Sequence, residues 1–396
     1  MLFSSAAPFY PTDEQCTKTG LLQKASDLKH HCALLEGKIA PVTRERLLAL
    51  MKDINSYYSN LIEGNGTEPY EIRQAHRGEF SEDPTKRDLQ FESIAHVKTQ
   101  LWLEKQELDL KTLFSPDFIK NIHRVFYEEL PESLLRIETE DNHEVVIPGS
   151  FRERSVIVGR HIAPDHSTLN TLMNGFQREY CHSALKGDRH LVAIMAAHHR
   201  FVWVHPFLDG NGRVGRLLTD AALKTVGLSS IGIWSLSRGL ARTNKMYKEL
   251  LARADYPAQG TSDGRGPLSL NNLVDFCNYM FDQAIDQVTY ISDLFEFSGM
   301  SKRIEGYIRA RGDHRVSGIT GALKPEAGLI LYHAFMAGEV SRAHVIQMCP
   351  GGERNARRLL KQLKDEGLLS ETSSRSPLKW EIPEHALPWY FPALEP

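Results

Sequence analysis

Apolar residues recur at three- and four-residue steps along most of this 396-residue chain, and that spacing is the period of an amphipathic α-helix. The clearest case is the segment 41–66, PVTRERLLALMKDINSYYSNLIEGNG. Its apolar positions are Leu47, Leu50, Met51, Ile54, Tyr58, Leu61 and Ile62. Because Gly64 and Gly66 interrupt the pattern, we predict a long helix that ends near Glu63.

The same spacing predicts helices over most of the remaining chain. Ser115 is a residue type that caps helices and Pro116 is one that starts them, so one helix is expected to begin there. The predicted helices cover residues 88–105, 116–130, 167–180 and 269–311, and two more flank residues 205–216. This pattern favours an all-α fold.

Residues 142–164, NHEVVIPGSFRERSVIVGRHIAP, break the helical period. They are rich in β-branched residues that alternate with polar ones around the turn residues Pro148 and Gly149. We therefore expect a small β-hairpin on an otherwise helical body.

The last part of the chain has a pattern of its own. After the glycine-rich polar stretch 312–328, it predicts a helix at 326–337, a short helix that opens at Ser341, a basic helix at 353–367 and two closing strands. That order is typical of a winged helix-turn-helix. We expect three parts, namely an N-terminal helical region 1–110, a core 111–311 and a C-terminal domain 320–396.

Composition limits the class of protein. Apolar residues make up 41% and charged residues 24% of the chain, and the formal net charge is −3. These values are typical of a soluble globular protein and argue against a chain that coats nucleic acid. No apolar run has the length needed to span a bilayer, and the segment MLFSSAAPFYPTDEQ lacks the pattern of a secretory signal. We expect a cytoplasmic protein without a membrane partner.

The cysteines are five in number, widely spaced and never arranged as CxxC. They are Cys16, Cys32, Cys181, Cys277 and Cys349. This pattern indicates neither a disulfide framework nor a zinc site, and we expect small apolar core residues instead.

The segment HPFLDGNGRVGR, residues 205–216, combines small residues with cations. Its small loop residues are Gly210, Asn211 and Gly212. Backbone N–H groups of such residues can approach a ligand closely, and the helix that starts there directs its partly positive N-terminus to the same place. Arg213 and Arg216 lie three positions apart on the first turn, where their guanidinium groups can contact phosphate oxygens. The segment is therefore suited to binding a polyphosphate.

Two other side chains add chemistry to this loop. His205 can accept a proton at neutral pH, because the reference pKa of histidine is about 6.5. Asp209 is a hard oxygen donor suited to Mg²⁺, or to Mn²⁺, together with the phosphates of a substrate. A base, a metal ligand and an anion site are thus expected within one short segment.

The order of residues in HPFLDGNGRVGR resembles the signature of the Fic family. Every position of the signature is filled, and the resemblance extends through the hairpin and the flanking helices over residues 40 to about 300. It implies an all-helical enzyme that transfers AMP from ATP to a serine, threonine or tyrosine hydroxyl of a protein. Such a transfer needs a positioned base and neutralisation of the departing pyrophosphate rather than a nucleophilic residue.

The resemblance implies a role for each residue of the signature. His205 would deprotonate the target hydroxyl, and Asp209 would hold Mg²⁺ between the α- and β-phosphates of ATP. Arg216 would bind the outermost phosphate. The residues that would hold the rest of the anion are Gly210, Asn211, Gly212, Arg213 and Gly215. Doc-like relatives, which transfer phosphate, carry a lysine at the place of Gly212, so adenylyl transfer is favoured here.

Two further regions receive roles from the resemblance. The segment 149–159 would be the flap of the family, which holds a target segment by strand addition, and its residues are Phe151, Val156, Ile157 and Val158. A plain structural hairpin is the alternative. The residues Arg242, Asn244 and Tyr247 fall where the family lines its adenine pocket. Tyr247 also has the helical spacing of a core aromatic residue.

The end of the first long helix reads SNLIEG and matches the inhibitory motif of the family. Ser59 and Glu63 are four positions apart, on one face of the helix. The resemblance implies that Glu63 pairs with Arg216 and takes the place of the γ-phosphate of ATP, which keeps the nucleotide in an unproductive pose. The alternative is a solvated glutamate ahead of a glycine stop.

Two other functions stay open at this point. The same site can remove AMP, with Glu63 orienting a water molecule. Alternatively, the C-terminal domain binds DNA while the helical body senses a nucleotide. The charged residues concerned are Arg354, Arg357, Arg358, Lys361 and Lys364, partly offset by Glu353, Asp365 and Glu366. The expected partners are a protein that carries the target hydroxyl, DNA or a protein at the C-terminal domain, and a second copy of the chain.

Overall fold

The computed structural model describes residues 5–138, 143–182, 185–228, 230–392 and 394. These residues are mostly helical, with a few short strands in two- and three-stranded sheets. The expectation of an all-α fold is confirmed. Of the helices that the structure describes, none is both long enough and apolar enough to cross a membrane.

Helices follow one another along most of the chain. Their bounds are α1 (Asp13–Lys18), α2 (Leu21–Lys38), α3 (Pro41–Ile62), α4 (Pro69–His76), α5 (Pro84–Glu104), α6 (Leu110–Leu113), α7 (Pro116–Tyr127), α8 (Glu132–Leu135), α9 (Leu169–Tyr180), α10 (Asp188–Val204), α11 (Asn211–Thr225), α12 (Leu236–Arg242), α13 (Asn244–Ala254), α14 (Leu270–Leu294), α15 (Phe297–Gly312), α16 (Glu326–Ala337), α17 (Arg342–Met348), α18 (Gly352–Asp365) and α19 (Leu387–Tyr390). The strands are β1 (Arg136–Glu138), β2 (His143–Val145), β3 (Ile157–Val158), β4 (His161–Ile162), β5 (Glu339–Val340), β6 (Leu369–Ser370) and β7 (Leu378–Trp380).

The helix ends predicted from the sequence agree with the structure at two places. Helix α3 ends at Ile62, which confirms the predicted end near Glu63. Helix α7 begins at Pro116, and the Ser115 side chain accepts a hydrogen bond from the Phe118 N–H, as a cap does. The motif 205–216 begins in the loop after α10, and its residues 211–216 form the start of α11.

The helical pattern predicted over residues 269–311 is helical in the structure and consists of two helices, α14 and α15. Phe295 and Glu296 separate the two helices. The Phe295 N–H donates to the carbonyls of Ile291 and Ser292, and Glu296 adopts an extended conformation ahead of α15. Apolar spacing continues through this break, so periodicity alone could not reveal it.

The prediction of a single hairpin over residues 142–164, whose first residue lies outside the described part, is also wrong. Strand β2 pairs with β1 and β3 pairs with β4, both antiparallel, so the Pro-Gly turn joins two separate hairpins. Gly149, at a φ of 78°, lies against α7, where an added Cβ would be 3.0 Å from the Cβ of Arg124. Its N–H donates to His123 Nδ1 at 2.9 Å. This docking on α7 ends the alternating pattern.

Contacts divide the chain into two compact units. Unit 1 comprises Met1–Ala33 and Asn55–Val288, and unit 2 comprises Leu34–Ile54 and Thr289–Pro396. The three parts predicted from the sequence have other boundaries, and they stay a prediction.

The central helix of unit 1 is α10, which is buried on nearly all sides. A helix that is apolar all round is the kind expected inside a core. Helix α11 packs closely against it because Gly215 faces Phe201, and an added Cβ at that glycine would be 3.1 Å from the phenylalanine ring. The motif loop is therefore anchored at both ends in a packed helix pair.

The cysteines are all free. Cys181 is half-buried and the other four are buried. The expectation of core residues is confirmed for these four, and Cys181 lies partly exposed.

Unit 2 contains a three-stranded antiparallel sheet with the strand order β5-β7-β6. Trp380 on β7 is fully buried, with ring centroids 5.3 Å from Phe335 and 5.6 Å from Tyr390. Residues 34–54 belong to this core, and the Thr43 hydroxyl donates to the Phe335 carbonyl at 3.3 Å. The winged-helix description of this unit stays a prediction.

Arg311 is a buried cation in unit 2, with 1% of its side chain exposed. Its guanidinium donates to both carboxylate oxygens of Glu366, at 2.8 and 3.0 Å. It also donates to the carbonyls of Thr320 and Gly321. These bonds join the segment after α15 to the end of α18.

We expect Glu366→Ala to lower the free energy of unfolding by about 3 to 5 kcal/mol, because the buried guanidinium of Arg311 loses its carboxylate partner. Urea unfolding followed by circular dichroism measures the change. Glu353→Ala is the control, since the pair of Glu353 with Arg357 is exposed and such helix pairs contribute about 0.5 kcal/mol or less. Equal destabilisation by both substitutions would contradict this assignment.

Candidate active site

Hydrogen bonds within the protein fix the backbone of the loop between α10 and α11. His205 ends α10 at a φ of 49°, a conformation uncommon for a residue with a side chain, while its N–H still donates to the Phe201 carbonyl. Gly210 precedes α11 at a φ of 78°. Between them, the Asn211 side chain donates to the Phe207 carbonyl and accepts from the Phe207 N–H, both at 2.9 Å. The loop therefore has one defined shape.

His205 presents a lone pair on Nε2. Its Nδ1 lies 3.2 Å from the Val202 carbonyl, which can only accept, so the neutral ring carries its proton on Nδ1. Burial lowers the pKa of His205 to about 4, and the nearby charges of His161 and Arg152 act in the same direction. The ring is thus neutral at physiological pH and can accept a proton at Nε2.

Asp209 lies near the end of the loop, with 45% of its side chain exposed. Its Oδ2 accepts hydrogen bonds from the Tyr127 hydroxyl at 2.6 Å and from the Arg213 guanidinium at 2.7 Å. Partial burial raises the pKa of Asp209, but Arg213 and Tyr127 outweigh that effect and hold the pKa below its ordinary value. The carboxylate is therefore ionised, and these two bonds leave Oδ1 to a ligand.

The single carboxylate of Asp209 fits a magnesium ion of the kind that accompanies nucleotides. Among the residues that the structure describes, no group of three or more His, Cys, Asp or Glu side chains is arranged to hold a metal. Mg²⁺ is usually held by one or two carboxylates together with substrate phosphates and water. A site of that kind needs no larger protein cluster.

Tyr127 on α7 supports Asp209, although the sequence analysis did not single it out. Its hydroxyl accepts from Arg213 at 2.8 Å and donates to Asp209, which fixes the direction of both bonds because a hydroxyl has one proton. An added Cβ at Gly210 would be 2.6 Å from the same oxygen. Tyr127 thus fixes the positions of the Asp209 carboxylate and the Arg213 guanidinium, and its ring lies against Gly210. A buried tyrosine on a helix carries no local signal of this role.

Arg213 is engaged within the protein. Besides Asp209 and Tyr127, its guanidinium pairs with Glu92 of α5, and only 6% of its side chain is exposed. Glu92 also accepts from the Asn65 amide at 2.9 Å. The Arg213 guanidinium therefore stabilises the loop. The sequence analysis missed Glu92 because this residue lies far from the motif along the chain.

His123 on α7 fixes the loop from another side. Its ring stacks between Phe207 and Tyr127, with centroid distances of 4.0 and 4.4 Å. Because Nδ1 accepts from the Gly149 N–H, the proton of the neutral ring is on Nε2, which lies 3.3 Å from the Asp209 carbonyl. One side chain thereby links the segment 143–150 to the motif loop.

Arg216 and the end of α3 are brought together. The Arg216 guanidinium donates to the Ser59 hydroxyl and carbonyl at 2.9 Å each and to Glu63 Oε1 at 2.7 Å. Arg216 keeps 3% of its side chain exposed, whereas Glu63 keeps 38%. Desolvation raises the pKa of Glu63, but Arg216 and Arg213 outweigh it, so the net pKa is lowered and the carboxylate is ionised.

Gly212 lies where Glu63 and Arg216 meet. An added Cβ at this glycine would collide with Glu63 Oε1 and would be 3.1 Å from an Arg216 nitrogen. The other small residues of the motif are used differently, since Gly215 faces α10 and the Asn211 amide is taken up by Phe207. The contacts expected between these small residues and an anion are therefore limited to backbone N–H groups at the start of α11.

A chain of buried hydrogen bonds orients Arg216. The Thr219 hydroxyl donates to the Gly215 carbonyl, so it accepts from His198 Nδ1 at 2.8 Å. His198 Nε2 must then accept from the Tyr247 hydroxyl, also at 2.8 Å. The Tyr247 oxygen is thereby left as an acceptor near Arg216, whose positive charge lowers the pKa of this tyrosine against the larger effect of burial, which raises it.

The three residues predicted for an adenine pocket do not share one environment. Tyr247 is buried and supports Arg216, as described above. Arg242 is exposed at the end of α12, and Asn244 is half-buried at the start of α13. Lys248, which the sequence analysis missed, donates to the carbonyl of Ile62 at the end of α3. An adenine contact of these residues stays a prediction.

The residues predicted for a flap lie in two places. Ile157 and Val158 form β3 and are exposed, and Val156 is half-buried just before them. Phe151 lies outside the hairpin of β3 and β4, with its ring centroid 5.4 Å from that of Phe207 and the Lys120 ammonium over its face. We use the name flap for the hairpin of β3 and β4 only.

Arg152 connects the flap to the motif loop, and the sequence analysis missed this role. Its buried guanidinium donates to the carbonyls of His205 at 2.8 Å and of Arg154 and Pro164 at 2.6 Å. Its backbone N–H donates to the Pro206 carbonyl at 2.9 Å. The residues on both sides of the flap and the carbonyl of His205 are thus tied to one side chain.

Residues 113–223 match the family model described as the Fic/DOC family. The protein adenylyltransferase Fic of Drosophila yakuba is 41% identical over 100 residues, which are 25% of this chain and 19% of that protein. The protein of the same name from Drosophila melanogaster is 42% identical over 80 residues, which are 20% of this chain and 16% of that protein. The aligned part therefore spans less than a fifth of the length of these curated relatives.

Two solved structures share the fold. A Fic family protein from Desulfovibrio desulfuricans G20 has a TM-score of 0.55 and 17% identity, covering 94% of this chain and 98% of that one. A Fic domain containing signaling protein from Bacteroides thetaiotaomicron VPI-5482 has a TM-score of 0.52 and 19% identity, covering 67% of this chain and 96% of that one. At these identities the similarity concerns the fold alone.

His96 and His198 are buried histidines beneath Arg216. Burial lowers the pKa of each to about 3, and the charge of Arg216 contributes. Both rings are therefore neutral in the folded protein.

We expect the protein to lose stability as the pH falls below the ordinary histidine pKa of about 6.5. Below that value the unfolded chain binds protons that the folded protein does not, so unfolding is favoured, and the loss continues until the folded pKa of about 3. By about pH 5 the loss is roughly 2 kcal/mol for each of the two histidines. Urea unfolding at neutral pH and at pH 5 measures it.

His198→Gln and His96→Gln should each reduce this pH-dependent loss by about 2 kcal/mol, whatever their stability at neutral pH. His30→Gln is the control, because His30 is exposed. An unchanged pH dependence in both buried variants would show that these rings are not the titrating groups.

Proposed function

Because residues 113–223 form a Fic/DOC-family domain, we propose that this protein transfers AMP from ATP to a serine, threonine or tyrosine hydroxyl of a protein. The observation that carries the proposal is the loop between α10 and α11. There His205 offers a lone pair at Nε2 while Asp209 stays ionised. A base and a metal-binding carboxylate at the start of a helix are the parts that nucleotidyl transfer requires.

The proposed reaction exchanges one bond at phosphorus. A bond forms between the target oxygen and the α-phosphorus, and the bond from the α-phosphorus to the β-phosphate oxygen breaks, so that pyrophosphate leaves. His205 Nε2 accepts the proton of the target hydroxyl, since Nδ1 already holds a proton. Asp209 would hold Mg²⁺, which supplies charge neutralisation to the phosphates. No covalent intermediate with the protein is needed.

The start of α11 would hold the phosphates. Its first N–H groups point out of the helix end, and Gly210 and Gly212 place no side chain in front of them. Arg216 on the same helix would contact the outermost phosphate. Glycine at position 212 leaves that approach open, which supports AMP transfer over phosphate transfer.

We further propose that Glu63 inhibits this reaction. Its ionised carboxylate accepts a hydrogen bond from the Arg216 guanidinium, so it would repel a phosphate that approached the same guanidinium. Ser59 holds the same guanidinium from the preceding helical turn. The contact of Glu63 with Arg216 supports this inhibition, because α3 would have to withdraw Glu63 before Arg216 could contact the nucleotide.

Binding of DNA by the C-terminal unit receives less support. On α18, Arg357 pairs with Glu353 and Lys361 pairs with Asp365. These pairs reduce the positive potential that a phosphate backbone would require. Dimerisation and a cytoplasmic location stay predictions.

We expect label from [α-³²P]ATP and none from [γ-³²P]ATP to become attached to protein in the presence of Mg²⁺. His205→Ala should abolish the attachment and leave ATP binding within a few-fold, because the ring moves a proton and does not hold the nucleotide. Gel autoradiography and calorimetric titration measure the two quantities. Transfer of the γ-label would favour phosphoryl transfer, and full activity of His205→Ala would refute the proposed base.

We expect Glu63→Gly to raise α-label incorporation by tenfold or more, because it frees Arg216 for the γ-phosphate. Arg216→Ala should be inactive, and the double variant should regain little, since the freed partner is missing. Incorporation over time is compared for all four proteins. Glu68→Gly is a matched control, because Glu68 is exposed beyond the end of α3.

Equal incorporation by the parent and by Glu63→Gly would show that SNLIEG is only a helix end. A fall in the turnover of AMP-modified protein on loss of Glu63 would favour the removal of AMP as the reaction.

A further inference from the structure

His161 is the flap residue whose side chain reaches the protein core. Of the paired residues of β3 and β4, Ile157, Val158 and Ile162 are 70, 47 and 63% exposed. The His161 side chain is 15% exposed. Its Nε2 lies 2.8 Å from the Trp203 carbonyl, and its Nδ1 lies 3.2 Å from Asp255 Oδ2. This ring therefore anchors the paired strands of the flap to the end of α10.

Both ring nitrogens of His161 face groups that only accept. A carbonyl has no proton to give, and Asp255 is ionised. Burial raises the pKa of Asp255, but hydrogen bonds from His161 and His199 outweigh it and bring the pKa to about 2. A neutral imidazole has one N–H and satisfies only one of these acceptors. Only the imidazolium form of His161 can donate to both acceptors.

The other histidine at Asp255 cannot supply the positive charge. His199 Nδ1 accepts from the Arg200 guanidinium at 2.7 Å, so its single proton is on Nε2, which donates to Asp255 Oδ1 at 2.9 Å. Burial also lowers the pKa of His199. Asp255 therefore receives a neutral donor on one oxygen and His161 on the other.

We propose that His161 is a positioning residue whose imidazolium fastens the flap to Trp203 and Asp255, so that flap closure over the motif loop depends on one proton. The part that concerns catalysis rests on the proposed function, because the flap would hold the target segment beside His205. Arg152 fixes the base of the flap without a titratable contact, and His161 fixes the paired strands.

Closure should weaken as the pH rises. When His161 loses its Nδ1 proton, a lone pair faces the Asp255 carboxylate, and the contact becomes repulsive. Over about pH 5 to 8, the other charged groups around the ring keep their charge state. Arg152 and Arg200 stay cationic, Asp255 stays anionic, and His205, with its pKa lowered to about 4, stays neutral.

Asp255→Asn offers a test that removes the proton requirement and keeps the hydrogen bonds. The amide oxygen can accept from His199, and the amide nitrogen can donate to the lone pair of a neutral His161. The flap of this variant should be closed at every pH of the interval. Asp275→Asn is the matched control, because Asp275 is an exposed carboxylate on α14 whose partner is Arg253.

Hydrogen–deuterium exchange of the flap peptide, residues 154–164, measures closure without any activity. After correction for the intrinsic pH dependence of amide exchange, uptake by the parent and by Asp275→Asn should rise several-fold between about pH 5 and 8. Uptake by Asp255→Asn should stay low. His161→Gln, which can keep the Trp203 contact but carries no charge, should show high uptake throughout. A flat profile in the parent, or the same rise in Asp255→Asn, would overturn the proposal.

Incorporation of α-labelled AMP by the same variants, in a Glu63→Gly background, separates this inference from the proposed function. The apparent KM for the target protein that receives AMP should rise with pH in the parent and stay constant in Asp255→Asn. The KM for ATP should change in neither. Absence of incorporation in every variant, together with pH-dependent exchange in the parent, would refute the enzyme and support the positioning role. If Asp255→Asn does not fold, hydrogen–deuterium exchange of the flap peptide in His161→Gln decides whether the proposal holds.

Discussion

The buried guanidinium of Arg216 is the group around which the candidate site is organised. A cation with so little exposure needs acceptors, and here they come from Ser59 and Glu63. Both lie at the end of α3, so one charge fixes the relation of α3 and α11 within unit 1. Removal of Glu63 leaves the charge without its counterion unless an anion replaces it.

Single protons determine the geometry of the rest of the site. Neighbouring groups with a fixed donor or acceptor role set the tautomers of His205, His123 and His198 and the donor direction of Tyr127 and Tyr247. Burial keeps the three rings neutral. The lone pair of His205 is therefore prepared by the fold itself and does not wait for a substrate.

The sequence predicts what is local and misses what is brought together by folding. Positions 205–216 lie in one loop and one helical turn, so chain continuity alone puts them near each other. Glu92, Tyr127 and His161 come from other segments, and a single sequence carries no pattern that joins them to the loop. The prediction of a single hairpin failed for a related reason. The Pro-Gly turn contacts α7 and does not connect two strands that pair with each other.

The close fit of Gly212 against Glu63 has a consequence for how such a chain can change over generations. A Cβ at position 212 would overlap the Glu63 carboxylate, so a larger residue there requires the end of the Glu63 side chain to shift from its observed place beside Arg216. The two positions therefore constrain each other although they are far apart in the chain. A lineage that acquires a lysine at position 212 is then released from keeping the glutamate, and we expect the motif at the end of α3 to drift in its descendants.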